Sequence, residues 1–249
     1  MVGLAPEVIT HIGSFPVTNT ILNMFLVDAA IIGGIYTLHK NIKKIPGYFQ
    51  NIFEMIVESF YDLVDGIAGK NTAKIFPWFM SFFLFILLAN WSGLIPGIGT
   101  IGIKEVHDGH EELVPLIRNL TSDLNATFGL ALISLVATHT LAIQTVGIKE
   151  YLSRYFSINP VMLFVGLLEI VSEITKIISL SFRLFGNIYA GEVVIHTINN
   201  LFAFLLPIPF FLLEVIVGLV QALVFSMLTM VFMSVLMTPH HAEEHAETH

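Results

Sequence analysis

FPWFMSFFLFILLANWSGLIP, residues 76–96, is the stretch on which the fold turns. It is apolar almost throughout, ends in Gly and Pro breakers, and carries Trp78 and Trp91 near its two ends. At about 1.5 Å per residue such a helix crosses the roughly 30 Å hydrocarbon layer of a bilayer. The two indoles then sit where amphipathic rings are favoured, at the membrane–water boundaries. Similar spans lie on either side, Val17–Leu38 before it and Leu124–Gly147 after it.

The whole chain has the same character. Of 249 residues 55% are hydrophobic and 12% charged, with mean hydropathy +0.81, whereas soluble domains hold about 25% charged residues. The expected fold is an all-α integral membrane protein forming a single membrane domain, 1–249. It has about five membrane-embedded helices and one amphipathic helix lying in the membrane plane. Absence of cysteine excludes disulfides and thiolate chemistry. A net charge of -8 argues against nucleic-acid binding. No phosphate-cradling Gly-Lys loop occurs, so no nucleotide site is expected.

Phe49–Ile67 is the amphipathic segment. Glu54, Glu58, Asp62 and Asp65 fall within an arc of about 80° at helical spacing, and apolar residues fill the rest. A helix in the membrane interface fits this pattern, its acidic stripe either solvated or docked on a partner. Pro160–Asn199 and Pro207–Met237 are the last two helical stretches, about 60 Å and 46 Å long if continuous. Both exceed the bilayer, so they must tilt steeply, lie partly in its plane, or break. The proline-containing connection NNLFAFLLPIP joins them as an antiparallel hairpin.

Loop charges set the orientation. One side receives Lys40, Lys43, Lys44, Lys70, Lys74, Lys149 and Arg154, the other only Lys104 and Arg118. The basic side is expected to be cytoplasmic or its organellar equivalent, with the N-terminus outside and the C-terminus cytoplasmic. The His residues of the terminal PHHAEEHAETH are irregularly spaced and read as a solvated tail, with no metal site expected.

One polar face runs through the fourth apolar stretch. With Arg183 as reference, Glu169, Glu173, Lys176, Ser179 and Asn187 all lie within about 80° of it on a helical projection. Such a face must meet water or protein, because each ionisable group left in lipid costs a few kcal/mol or more. Glu169 and Glu173 are spaced to pair with Lys176, while no acid stands three or four residues from Arg183. A guanidinium stays protonated even when desolvated. Arg183 can therefore attract a carboxylate arriving on another chain while repelling a free proton, or it can be a structural Arg paired within its own chain.

Glu192 lies on the opposite face, roughly 13 Å further along, with His196 one turn later. If the hairpin turns near Phe202, Arg183 faces Gln221 and Glu192 faces the region of Glu214. Two acids close together with a His nearby suit proton relay, and structural hydrogen bonding is the competing reading. His139, between Thr138 and Thr140 in the third span, reads as hydrogen-bonded to a neighbour, with proton handling as the alternative.

SLSFRLFGNIYAGE, Ser179 to Glu192, closely resembles the signature of subunit a of the F-type ATP synthase. Support comes from PVMLFVGLLEIVSE before it, GLVQALVFSMLTMVF after it, NWSGLIPG at the second span and SDLNATFGLAL at the third. The resemblance covers nearly the whole chain. It implies the stationary half of a proton channel, with Arg183 facing the acidic residue of a rotating c-ring, Gln221 as its glutamine partner and Asn187 as the family's asparagine. Glu192 falls at the position of the external half-channel, and Glu214 at the last-helix position that pairs with it, with His196 nearby. Glu169, Ser179 and Lys176 match further polar positions of the proton path. Implied partners are the c-ring, the subunit b peripheral stalk, the remaining ATP synthase subunits, membrane lipids and the translocated protons, with no cofactor. Implied locations are the bacterial plasma (inner) membrane or an equivalent energy-transducing organellar membrane.

Two rival classes are a self-contained secondary transporter, which would show an internal repeat, and a membrane anchor with only structural polar contacts. No repeat is evident in the sequence.

Overall fold

The structure is a computed structural model. It describes residues 6–44, 46–95, 97–98, 101–107, 110–155, 160–201 and 207–238. The turn expected near Phe202 and the His-bearing tail lie outside these residues.

Helices dominate. They are α1 (Asn19–Asn41), α2 (Tyr48–Ala68), α3 (Thr72–Ser92), α4 (Leu124–Val146), α5 (Ile148–Tyr155), α6 (Pro160–Leu201) and α7 (Pro207–Leu236). Among the described residues, four helical segments are long and apolar enough to cross a membrane: Asn19–Asn41, Gln50–Ser92, Leu124–Val146 and Pro207–Leu236. The protein is an all-α membrane protein, as its composition implied. The long α6 falls outside that apolar set, in keeping with its Glu169, Glu173, Lys176, Arg183 and Glu192.

Several boundaries differ from the sequence expectation. α1 starts two residues late because Thr18 caps it, its hydroxyl accepting from the Ile21 amide at 3.4 Å. α3 begins at Thr72, so Pro77 lies inside the helix and not at its entrance. There Pro77 removes one backbone donor, a tolerable loss so near a helix start. α3 then ends at Ser92, ahead of the Gly93 breaker. Of the alternatives for the fourth stretch, a break is excluded, since α6 runs unbroken for 42 residues.

Two short antiparallel hairpins were not anticipated. Strands β1 (Val8–Ile12) and β2 (Phe15–Thr18) pair across a turn in which Gly13 has φ +67°. Strands β3 (Gly102–His107) and β4 (His110–Pro115) pair within the loop following α3. Strands of four to six residues are too short for alternation to mark them in a sequence.

Contacts divide the chain into two compact units. The first comprises Met1–Lys43, Phe82–Thr127 and Phe182–Val224. Its core combines apolar Val27, Phe83, Ile86, Leu184 and Ile188 with buried Asn19, Thr20, Asn23, Asn90 and Thr121. The second comprises Lys44–Ser81, Phe128–Ser181 and Phe225–His249. There α2 and α3 meet through Phe60 and Phe79, ring centroids 5.7 Å apart, and through Tyr61 and Phe76 at 5.1 Å. The acidic side chains of α2 are exposed, as their stripe suggested. In the same unit α4 ends at Gly147, whose φ of +91° turns the chain into α5 while its amide caps the Ile143 carbonyl.

Candidate functional site

In the first unit, α6 and α7 meet through polar groups. Asn187 donates its side-chain amide to Oε1 of Gln221 at 2.8 Å. Gln221 is buried and Asn187 exposed, so the bond draws a surface amide down to an interior one. Arg183, one turn earlier on α6, is likewise exposed. Gln221 is thus hydrogen-bonded to Asn187, one turn beyond Arg183 on α6.

Four residues beyond Asn187, Gly191 approaches Glu214 so closely that an added Cβ would collide with the carboxylate. Advancing along α6 from 187 to 191 moves the contact back along α7 from 221 to 214. The two helices are therefore antiparallel in this unit. Glu192 stands beside this contact, and its Oε2, like Oε1 of Glu214, is buried with no hydrogen-bond partner among the described residues. Leaving such oxygens unsatisfied costs about 1–3 kcal/mol each, more when charged. A pair kept at that cost suits groups that exchange protons with each other or with water. His196, one turn past Glu192, is exposed.

α3 fixes the height of α7. Asn90 donates to the Gly218 carbonyl at 3.0 Å, and the Trp91 indole donates to the Val215 carbonyl at 3.2 Å. The absent side chain at Gly218 makes this possible, because a Cβ there would stand 3.1 Å from that of Asn90. Asn90 accepts in turn from Thr121 at 2.6 Å. Asn23 of α1 donates to Ser92 and to the Arg118 carbonyl, both at 2.9 Å, and Thr20 donates to Asp123 at 3.3 Å. Thr20 and Asn23 of α1 thus face protein, as their cost in lipid required. Asn90 and Thr121 were unassigned by sequence reasoning, although both lie in or beside motifs it quoted.

The second unit holds another ionic cluster. Glu173 receives Lys176 at 2.8 Å, the expected three-residue pair. Glu169 does not join it. Its Oε1 instead meets Nε of Arg154 on α5 at 3.0 Å, a partner that helical spacing within α6 could not reveal. The Lys176 ammonium also lies 4.5 Å from the centre of the Phe232 ring, a cation–π contact. Ser179 is exposed.

His139 of α4 belongs to this cluster. Its Nδ1 is 2.8 Å from the Tyr151 hydroxyl and its Nε2 is 3.7 Å from Oε2 of Glu173. The expectation of a hydrogen-bonded neighbour is met, by a residue of α5. Tyr155 packs on Tyr151 with ring centroids 5.3 Å apart, and burial pushes its hydroxyl pKa above the ordinary tyrosine range. A cavity of about 300 Å³ opens among Leu135, His139, Tyr151, Tyr155, Glu173 and Ile177.

The model of the family described as ATP synthase A chain matches residues 21–234. An ATP synthase subunit a from Moorella thermoacetica is 30% identical over 234 residues, covering 94% of this chain and 97% of that protein.

Proposed function

Since the chain belongs to the ATP synthase A chain family, the membrane-sector proton-channel subunits of ATP synthase, we propose that it couples proton flow to rotation through Arg183. In this reading protons enter by one aqueous half-channel, neutralise a carboxylate on a c-ring, travel round with the ring, and leave by a second half-channel. Arg183 separates the two routes. ATP itself is made on other subunits, and this chain binds no nucleotide.

One observation carries the reading. A permanently charged, exposed Arg183 stands on the same helix as Asn187, which is tied to buried Gln221, and further along lie two carboxylates with buried, unsatisfied oxygens. Arg183 lies on the exposed side of α6, and the Asn187–Gln221 bond fixes the helix surface beside it. Glu192 and Glu214, with His196 near them, form the entry route in this reading. Glu169, Lys176 and Ser179 belong to the other route. The c-ring and the subunit b stalk are the partners. In this reading the C-terminus lies on the cytoplasmic side of a bacterial plasma membrane, or on the equivalent organellar face, which the excess of Lys and Arg in the loops of that side supports.

Replacing Arg183 by Ala in the intact complex tests this. The expected result is an assembled complex with no proton-coupled ATP synthesis and altered passive proton flow through its membrane sector. Normal coupling in that variant would overturn the reading.

A further inference from the structure

We propose that His139 relays protons between the open cavity of the second unit and the Glu173–Lys176 pair on α6. The inference rests on the proton-channel reading and assigns a residue to one of its routes. Three features of the geometry carry it. Both imidazole nitrogens address titratable groups, Tyr151 at 2.8 Å on one side and Glu173 at 3.7 Å on the other. The cavity is lined by His139, Tyr151, Tyr155 and Glu173 together, so the outer end of the relay meets water-sized space. A second, smaller space of about 10 Å³ among Ser134, Thr138, Glu173, Lys176 and Phe232 shares Glu173 with that cavity, room for about one water. His139 thus stands beside Glu173 where the two spaces adjoin, placed to carry a proton between them.

The transfer balances without any co-reactant. A proton on Oε2 of Glu173 passes to Nε2 of His139, breaking the O–H bond and forming an N–H bond. The imidazolium then releases its Nδ1 proton to the Tyr151 oxygen as the Tyr151 hydroxyl proton leaves to cavity water. Glu173 ends as a carboxylate, and His139 and Tyr151 end neutral. Loss of the Nε2 proton and uptake of one at Nδ1, both by exchange with cavity water, restore the starting tautomer. The 3.7 Å separation exceeds a hydrogen bond, and a bridging water or a small side-chain rotation closes it. The groups facing His139 are Glu173, Lys176 and Glu169 from α6 and Tyr151 from α5, with Tyr155 on the same cavity wall.

The purely structural alternative is that His139 only pins α5 to α4 through Tyr151. Passive proton flux through the intact complex in vesicles separates the two, measured for His139→Ala, His139→Gln and Tyr151→Phe, with and without added imidazole. Gln keeps an amide able to hydrogen-bond but cannot carry a proton. Relay predicts a flux loss on the order of a hundredfold in His139→Ala and His139→Gln. It also predicts recovery in His139→Ala that rises with imidazole concentration, and a smaller loss in Tyr151→Phe. An assembled His139→Gln complex with unaltered flux overturns the relay, as does His139→Ala flux that imidazole leaves unchanged. If His139→Ala does not assemble, the Gln variant alone decides. Failure of the channel reading is distinguishable, because it removes proton flux from the unsubstituted complex, whereas failure of the relay leaves that flux intact and sensitive to Arg183→Ala.

Discussion

Asn187 and Gln221 join α6 to α7 by a 2.8 Å amide–amide hydrogen bond in which the acceptor is buried and the donor exposed. Truncating Asn187 strands a buried acceptor, which costs about 1–3 kcal/mol in water-soluble proteins, while bonds between membrane helices average about 0.6 kcal/mol. We expect Asn187→Ala and Gln221→Ala each to lower the melting temperature of the complex modestly. The double variant should be less destabilised than the sum of the two. A double-mutant cycle by thermal denaturation measures that shortfall, and strict additivity would show that the bond contributes nothing.

Gly191 is required by the position of the Glu214 carboxylate. Alanine at 191 must push that carboxylate aside or separate the two helices, whereas a Cβ at Gly129 in α4 meets nothing within 4 Å. Gly191→Ala should therefore cut proton-driven ATP synthesis severely in an assembled complex. Gly129→Ala should leave it unchanged and add up to about 1 kcal/mol of helix stability. Native gels for assembly together with synthesis rates check both, and equal activity in the two variants would mean that the Glu214 position is immaterial.

Glu192 and Glu214 each keep a buried oxygen without a hydrogen bond. Glutamine in place of Glu214 preserves volume and removes the exchangeable acid. Glu214→Gln should slow ATP-driven proton pumping on the order of a hundredfold, while Glu214→His, which restores a titratable group, should retain more activity. Pumping assays at several pH values distinguish them. A Gln variant as active as the original protein would assign Glu214 to structure alone.

The parts of the fold that depend on one helix were legible, and those that depend on two were not. Length and apolarity located every long helix, and the acidic stripe of α2 emerged from a single 3.6-residue period. The polar face holding Arg183 and Asn187 was readable for the same reason. Pairing was not. Arg154 and Glu169 meet across the α5–α6 connection, and His139 and Tyr151 across the turn made by Gly147. Each depends on the direction the chain takes after a break in the helix. Counting back from a turn near Phe202 set these segments of α6 and α7 side by side, but could not single out the Asn187–Gln221 bond. Only the three-residue Glu173–Lys176 pair, set by the helix itself, was fully predictable.

Asn90 bridges three elements, donating to Gly218 of α7 and accepting from Thr121 while rooted in α3. Leucine at this position matches its size but leaves the Thr121 hydroxyl without this acceptor and abolishes the bond to Gly218. We expect Asn90→Leu to destabilise the subunit by about 1–3 kcal/mol, and Asn90→Asp to retain the Thr121 bond only. Protease sensitivity of the detergent-solubilised complex, compared across the two variants, gives the order. Equal resistance in Asn90→Leu and the unsubstituted protein would show that α7 is held by its apolar contacts.

The Arg154–Glu169 pair, 3.0 Å apart and only partly exposed, separates structural from proton-conducting roles for Glu169. Reversing either charge alone leaves two like charges facing each other between α5 and α6, and breaking a buried ion pair costs up to about 3–5 kcal/mol, less where solvent reaches it. Arg154→Glu and Glu169→Arg should therefore each impair assembly. Combining them restores attraction with the charges exchanged, so assembly should recover in the double variant. Proton flux should not recover with it if Glu169 serves the proton path, because arginine does not release its proton. Recovery of both assembly and flux would confine Glu169 to holding α5 against α6, and would leave Glu173 as the acid through which this unit handles protons.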